Sequence, residues 1–280
     1  MRRACCVAAV AFVLAAHPAS VWADSEGPSL DDRWPLEAVR RPLTLPAGMA
    51  SVSATLSAFR PNHLTNLDPT TGEVYQFHPY SNLGVGLSFG IRDRFQMSAS
   101  MPRLLCMDLD APSGCTGVNR FNGTGASARV LVVRGPHVQV APYASISVSR
   151  SSPYVYRWGT GGTVKVTFDD TAFTIGPSIA RDINPPLFLL INPWLAYLPI
   201  GMNLQITQRT LIYVVVEPWG ALDQLGGGVA LELYGGAAYT FGRIGEIVFD
   251  AGIYNVLAEP EWNRTVPGSF ALLSLVFWRQ

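Results

Sequence analysis

The sequence predicts an all-β chain that closes into an antiparallel transmembrane barrel of about twelve strands, or about ten if one weak pair is a single strand. Three observations predict it. Apolar residues recur at every second position through most of the chain. The opposite side of that alternation is Gly, Ser, Asn, Gln and Tyr, where a soluble sheet would carry Lys, Glu and Thr. Short turns largely alternate with long polar connections, which suits a barrel with turns on one membrane face and loops on the other. Composition agrees. Only 14% of the 280 residues are charged although 49% are hydrophobic, whereas about a quarter of an ordinary soluble chain is charged. Lys165 is the only lysine, and the balanced formal charge gives no reason to expect a nucleic-acid partner.

From the start of the chain, Arg2 and Arg3 precede the uncharged run Ala4 to Ala16, and Val21-Trp22-Ala23 places small residues where a signal peptidase inspects them. Residues 1–23 therefore read as a signal peptide, with cleavage after Ala19 the second choice. The apolar run is shorter than the roughly 20 residues of a membrane helix. Residues 24–47 contain Pro28, Pro35, Pro42 and Pro46, which exclude a regular helix or strand. They are expected to form a periplasmic leader or a plug that enters the lumen. Residues 48–280 form the barrel.

Strands are expected near 49–59, 82–91, 95–103, 122–134, 138–149, 171–181, 186–192, 196–207, 210–218, 228–240, 246–255 and 268–278. The alternation is clearest at 82–91, where Leu83, Val85, Leu87, Phe89 and Ile91 face away from Asn82, Gly84, Gly86, Ser88 and Gly90. Turns are expected at Arg92 to Arg94, Arg134 to His137, Gln208-Arg209 and Phe241 to Gly245. Long loops are expected at Arg60 to Ser81, Leu104 to Phe121, Arg150 to Asp170 and Val256 to Pro267. The region 182–227 is where the two strand counts differ. Phe59, Phe95, Phe121, Trp219, Tyr239, Phe241 and Trp278 stand near strand ends, as interfacial girdles would.

By parity the lumen should receive Asn82, Ser88, Gln96, Ser98, Arg129, Gln139, Tyr143, Asn203, Gln205, Glu232, Tyr234, Asp250 and Tyr254. Arg129 against Glu232 and Asp250 would make an internal ion-pair network, because buried charges need partners. Cys106 and Cys115 close a Pro/Gly-containing segment that an exported protein can staple with a disulfide.

Catalytic patterns are scarce. Gly123 to Ala128 superficially matches a dinucleotide fingerprint but leads into β-type sequence instead of opening a helix. His63 with Asp68 is the one pairing that suggests a rim hydrolase; His78 and His137 read as ordinary polar residues. No metal site and no cofactor are expected, and the chain is not expected to be an enzyme.

In layout the mature chain resembles the uncharacterised outer-membrane β-barrels of Gram-negative bacteria, porin-like or transporter-like proteins. These open with a Pro-rich leader such as "RRPLTLPAGM", continue into a Ser/Thr-alternating strand and end in an aromatic-rich strand, here "SFALLSLVFWRQ". The resemblance implies an outer-membrane location, contact with membrane lipid and insertion by the barrel-assembly machinery. The ending departs from the usual aromatic last residue, since Phe277 and Trp278 are followed by Arg279 and Gln280. The function expected is a narrow channel or transporter for small solutes or apolar compounds. The alternative is a secreted soluble β-sandwich or ligand-binding barrel, and the third reading is a barrel-embedded hydrolase.

Overall fold

The computed structural model describes residues 34–61, 65–67, 74–76, 79–108, 123–151, 154–183, 194–222, 229–242, 244–254 and 268–279. The expected signal peptide, the strand at 186–192, Phe121, Cys115, His63, Asp68 and His78 lie outside the described residues. Period-two sequence has become strand throughout: β1 (Ala50–Pro61), β2 (Thr65–Leu67), β3 (Val74–Gln76), β4 (Tyr80–Arg92), β5 (Phe95–Asp108), β6 (Gly125–Val130), β7 (Val133–Arg134), β8 (Val138–Ser151) and β9 (Tyr154–Phe168). These are followed by β10 (Thr171–Ile175), β11 (Ser178–Ile183), β12 (Leu195–Tyr197), β13 (Ile200–Gln205), β14 (Thr210–Ala221), β15 (Ala230–Thr240), β16 (Gly245–Tyr254) and β17 (Gly268–Arg279).

Apart from the small β2–β3 hairpin, these strands form one antiparallel sheet that closes on itself. β1 pairs along one edge with β4 and along the other with β17, in the registers Phe59↔Tyr80 and Phe59↔Phe270. Three staves are interrupted, giving the pairs β6/β7, β10/β11 and β12/β13, so the wall has twelve staves. Pro177 and Pro199 cause two of these breaks by removing a ladder donor. Neighbouring backbone keeps the wall continuous there: Gly162 N–H donates to the Pro177 carbonyl at 3.0 Å, and Gly176 N–H to the Pro199 carbonyl at 2.9 Å.

The expected count of twelve is met by a different set of strands. Residues 154–168, expected inside a long loop, form β9, one of the longest staves, paired with β8 on one side and with β10 and β11 on the other. Thr160, Gly161, Gly162 and Thr163 read as loop signals, yet at Gly161 a Cβ would meet the Ser178 side chain at 2.5 Å and the Pro177 carbonyl at 2.6 Å. Glycine is there because the neighbouring stave comes close. β9 turns directly into β10 through Asp169 and Asp170, with Asp169 at φ 43°, a conformation that Asp tolerates better than most residues.

Burial is the reverse of a soluble sheet. Met97, Ile146 and Phe249 are 49%, 49% and 51% exposed on the outer face. Asn82, Gln139, Lys165, Gln205 and Thr240 are buried on the inner face. Lipid requires this orientation, since it solvates aliphatic side chains and offers nothing to polar ones. A ten-residue stave such as β16 rises about 33 Å and, tilted, covers roughly 25 Å of depth. Phe95 and Tyr239 follow the outward parity, as a girdle requires. Phe59, Trp219 and Trp278 do not: they face inward, which corrects their expected girdle role.

A cation placed on the outer face is the direct check. Phe249→Arg is expected to cost about 2–4 kcal/mol of folding stability in lipid, while Val248→Thr, one residue along and facing inward, changes it by less than about 1 kcal/mol. Urea titrations read by heat-modifiable gel mobility measure both.

Candidate functional site: the two levels of the lumen

At the end with short turns, residues 34–49 run inside the barrel and are tied to its wall by side chains near the strand ends. Polar residues left over from the ladder act as partners for a backbone that has no secondary structure of its own apart from the 3₁₀ turn Ala38–Arg40. The Val39, Leu43 and Leu45 N–H groups donate to the side-chain oxygens of Gln205 (3.2 Å), Gln139 (2.9 Å) and Gln96 (2.8 Å). Lys165 Nζ donates to the Arg41 carbonyl at 2.8 Å, and Arg129 donates to the Leu43 carbonyl at 3.3 Å. Where the segment joins β1, Gly48 N–H donates to the Gly90 carbonyl at 2.7 Å and Gly90 N–H to the Met49 carbonyl at 2.9 Å. A Cβ at Gly90 would strike the carbonyls of Leu45 and Pro46, so the close approach needs glycine.

Arg41 is the centre of this level. Its guanidinium makes a 2.6 Å ion pair with Glu246 and donates to Thr240 Oγ1 (2.8 Å) and to the carbonyls of Pro35 (3.0 Å) and Leu36 (3.1 Å). Trp34 and Trp278 flank it, with ring centroids 5.4 Å and 4.7 Å from Cζ. Glu246 and Thr240 belong to β16 and β15, while the Arg41 carbonyl is held by Lys165 of β9. Four staves separate β9 from β16, so one residue of the leader reaches two nearly opposite sides of the wall. These contacts hold residues 34–49 against the inner face of the wall at this end.

Toward the other end lies a cavity of about 670 Å³ lined by Phe59, Tyr80, Tyr213, Val215, Glu217, Glu232, Tyr234, Asp250, Tyr254, Phe270 and Leu272. Its walls are β14 to β17, β1 and β4. Glu217 and Glu232 are direct partners in the β14–β15 register. Tyr213 donates to the Asp250 carboxylate. Phe59 stacks on Tyr80 (5.1 Å between centroids), and Phe270 contacts Phe59, Tyr234 and Tyr254 at 6.2, 6.0 and 6.5 Å.

The candidates named from sequence thus divide between the levels. Gln96, Gln139, Gln205, Arg129 and Tyr143 belong to the level of residues 34–49; Glu232, Tyr234, Asp250 and Tyr254 line the cavity. Arg129 does not pair with Glu232 or Asp250. β6 and β15 stand on opposite sides of the wall, and Arg129 serves the leader while lying 5.7 Å from the Tyr143 ring. Asn82 is buried, Ser88 donates to Ser98 at 2.9 Å, and Asn203 donates to the Ala172 carbonyl at 3.3 Å. Cys106 has β5 backbone paired with Asn82. His137 rests in a turn with Nδ1 at 3.2 Å from the Thr167 carbonyl. Among the described residues no group of three His, Cys, Asp or Glu could hold a metal ion.

Sequence reasoning missed Arg41, Glu246, Lys165 and Trp278 around residues 34–49, and Phe59, Tyr80, Tyr213, Glu217 and Phe270 at the cavity. The β14 signal was present: Tyr213, Glu217 and Trp219 alternate with Ile212, Val214 and Val216. Glu246 and Thr240, the wall partners of Arg41, lie about two hundred residues away, and no local pattern announces them.

No family model matches the sequence, and no curated protein matches it. Among solved structures, the chain is similar to an outer-membrane channel from Pseudomonas putida F1, with a TM-score of 0.54 at 10% identity over 84% of this chain and 96% of that one. It is also similar to the KdgM porin in complex with disordered oligogalacturonate, with a TM-score of 0.52 at 6% identity over 81% of this chain and 98% of that one. The fold is that of an outer-membrane β-barrel. The layout expected from the Pro-rich leader and the aromatic last strand is therefore met at the level of fold.

Replacing Arg41 by Met removes the ion pair and three further donated hydrogen bonds while keeping an apolar stem between Trp34 and Trp278. Leaving Glu246 buried without its partner costs about 3–5 kcal/mol where the leader stays docked, so the segment is expected to detach. Amide exchange at Val39, Leu43 and Leu45 should then speed up by at least about tenfold, the factor carried by 1.4 kcal/mol, while exchange at mid-β16 amides stays unchanged.

Proposed function

We propose that the chain is an outer-membrane barrel whose lumen is a narrow pathway for small solutes, closed at the periplasmic end by its own leader. The observation that carries this reading is the pairing of an aliphatic outer face with a polar lumen spanned by residues 34–49. A soluble ligand-binding barrel would hide Ile146 and Phe249 in its centre, whereas both are half exposed. The hydrolase reading rested on His63 and Asp68, and no described residue favours it. The leader belongs on the periplasmic side because it enters among the short turns, which bacterial barrels place there.

The lumen also bears on the solute. The KdgM porin was solved with an oligogalacturonate, a polyanion. Here Glu217, Glu232 and Asp250 line the wider level and disfavour such a solute by like-charge repulsion. Neutral or cationic small molecules with an apolar part suit a wall in which rings and carboxylates alternate.

Planar-bilayer recording tests the pathway. The mature chain is expected to conduct weakly or intermittently, and deletion of residues 34–47 to raise single-channel conductance several-fold. Silence from both proteins, each shown to be folded by heat-modifiable mobility, would refute a pathway through the lumen.

A further inference from the structure

We infer that the cavity between β14 and β4 is a binding site for organic cations, small ligands with an ammonium group on an apolar or aromatic body. The inference rests on the proposed solute pathway for its biological sense, but the site is argued from its own geometry.

Charge is the first consideration. Glu217 and Glu232 face each other in register, an arrangement that destabilises a sheet when both are ionised. Asp250 adds a third carboxylate to the same cavity, and no Lys, Arg or His is among the described residues that line it. Arg103 lies beside the Tyr80 ring, 5.9 Å from its centroid, at the margin. A cation entering the cavity relieves the repulsion between Glu217 and Glu232, and the binding free energy includes that relief.

The second consideration is the kind of cation. Apart from Val215 and Leu272 the remaining wall is aromatic, and Phe59, Tyr80, Tyr234, Tyr254 and Phe270 form one chain of ring contacts. Ring faces attract weakly hydrated cations, and stacked aromatic walls are a recurring way to hold quaternary ammonium groups. Small, strongly hydrated metal ions gain little from such a surface. The volume of about 670 Å³ falls within the range of roughly 300–1,000 Å³ that suits small organic ligands.

Glycines make the space. Gly236, Gly252 and Gly268 face inward beside the tyrosines. A Cβ at Gly236 would lie 2.8 Å from both Asp250 Oδ1 and the Tyr213 hydroxyl, and Cβ atoms at Gly252 and Gly268 would collide with Tyr234 and Tyr254. The three glycines let the tyrosine rings lie along the wall, so the cavity is built by the local sequence and is not a gap between loops.

Calorimetric titration of the folded full chain in detergent tests the site without requiring conduction. Benzyltrimethylammonium is the cation probe, and benzyl alcohol and benzoate are the neutral and anionic comparators. The cation is expected to bind at least about tenfold more tightly than the alcohol, with 1.4 kcal/mol corresponding to that factor, and benzoate not at all. Glu217→Gln with Glu232→Gln should abolish the preference for the cation, and Phe270→Leu should weaken cation binding while leaving the charge unchanged. Should the double variant fail to fold, Phe270→Leu and the cation-to-alcohol ratio of the unmodified chain decide the matter. Equal affinity for cation and alcohol, or no cation binding, overturns the proposal. Binding by a protein that is silent in bilayers would refute the pathway and leave the site standing.

Discussion

Hydrocarbon supplies no hydrogen-bond partner to a peptide group, and the cost of leaving one unpaired is several kcal/mol. A sheet in that solvent therefore has to close, and the pairing of β1 with both β4 and β17 is what closes this one. Closure then fixes the direction of each side chain. With the outer face in lipid, aliphatic residues turn outward and every second residue is forced into a confined interior. Small groups relieve that confinement: Gly161, Gly236 and Gly252 stand where a Cβ would collide with the next stave. The same need accounts for the low charge of the chain, because neither lipid nor a crowded lumen tolerates unpartnered ions.

The interior poses a second problem, since glutamines and a lysine turned inward near the strand ends need partners of their own. The leader supplies them. Its N–H groups meet Gln96, Gln139 and Gln205, and its carbonyls meet Lys165 and Arg129. The interaction is reciprocal, because residues 34–49 form no ladder and would have unpaired backbone groups anywhere out of water. Trp278 of β17 packs beneath Arg41. Its neighbour Phe277 holds the outward position.

Fold class was legible because two-residue alternation survives translation into structure almost unchanged; Leu87, Phe89 and Ile91 face outward as their spacing requires. β9 was not, because its Gly and Thr residues answer a packing need that involves Ser178 and Pro177, and local sequence shows glycine without showing the neighbour. Phe59, Trp219 and Trp278 were misplaced for a related reason. An aromatic residue near a strand end suits a lipid girdle and a lumen wall equally, and only parity within the correct register separates the two. Inward parity was readable for Glu232, Tyr234 and Asp250, but their grouping depends on which staves adjoin. Arg129 was assigned to them on charge alone, and the closed wall places it on the opposite side.

The two levels of the lumen are complementary in charge. Arg41, Lys165 and Arg129 gather with the leader at the turn end, where Glu246 pairs with Arg41, while Glu217, Glu232 and Asp250 face the cavity. A cation arriving from the loop side would meet attraction first and repulsion next. On the proposed pathway, passage would depend on residues 34–49 leaving, since the Arg41 and Leu43 carbonyls hold Lys165 and Arg129 and Arg41 itself belongs to the segment. Undocking would remove Arg41 from that proposed pathway and free Lys165 and Arg129 to move, so the same event would widen the lumen and lower its positive field. On the proposed pathway, closure and charge selection would be properties of one segment, and a segment that merely blocked space would not need an arginine at its centre.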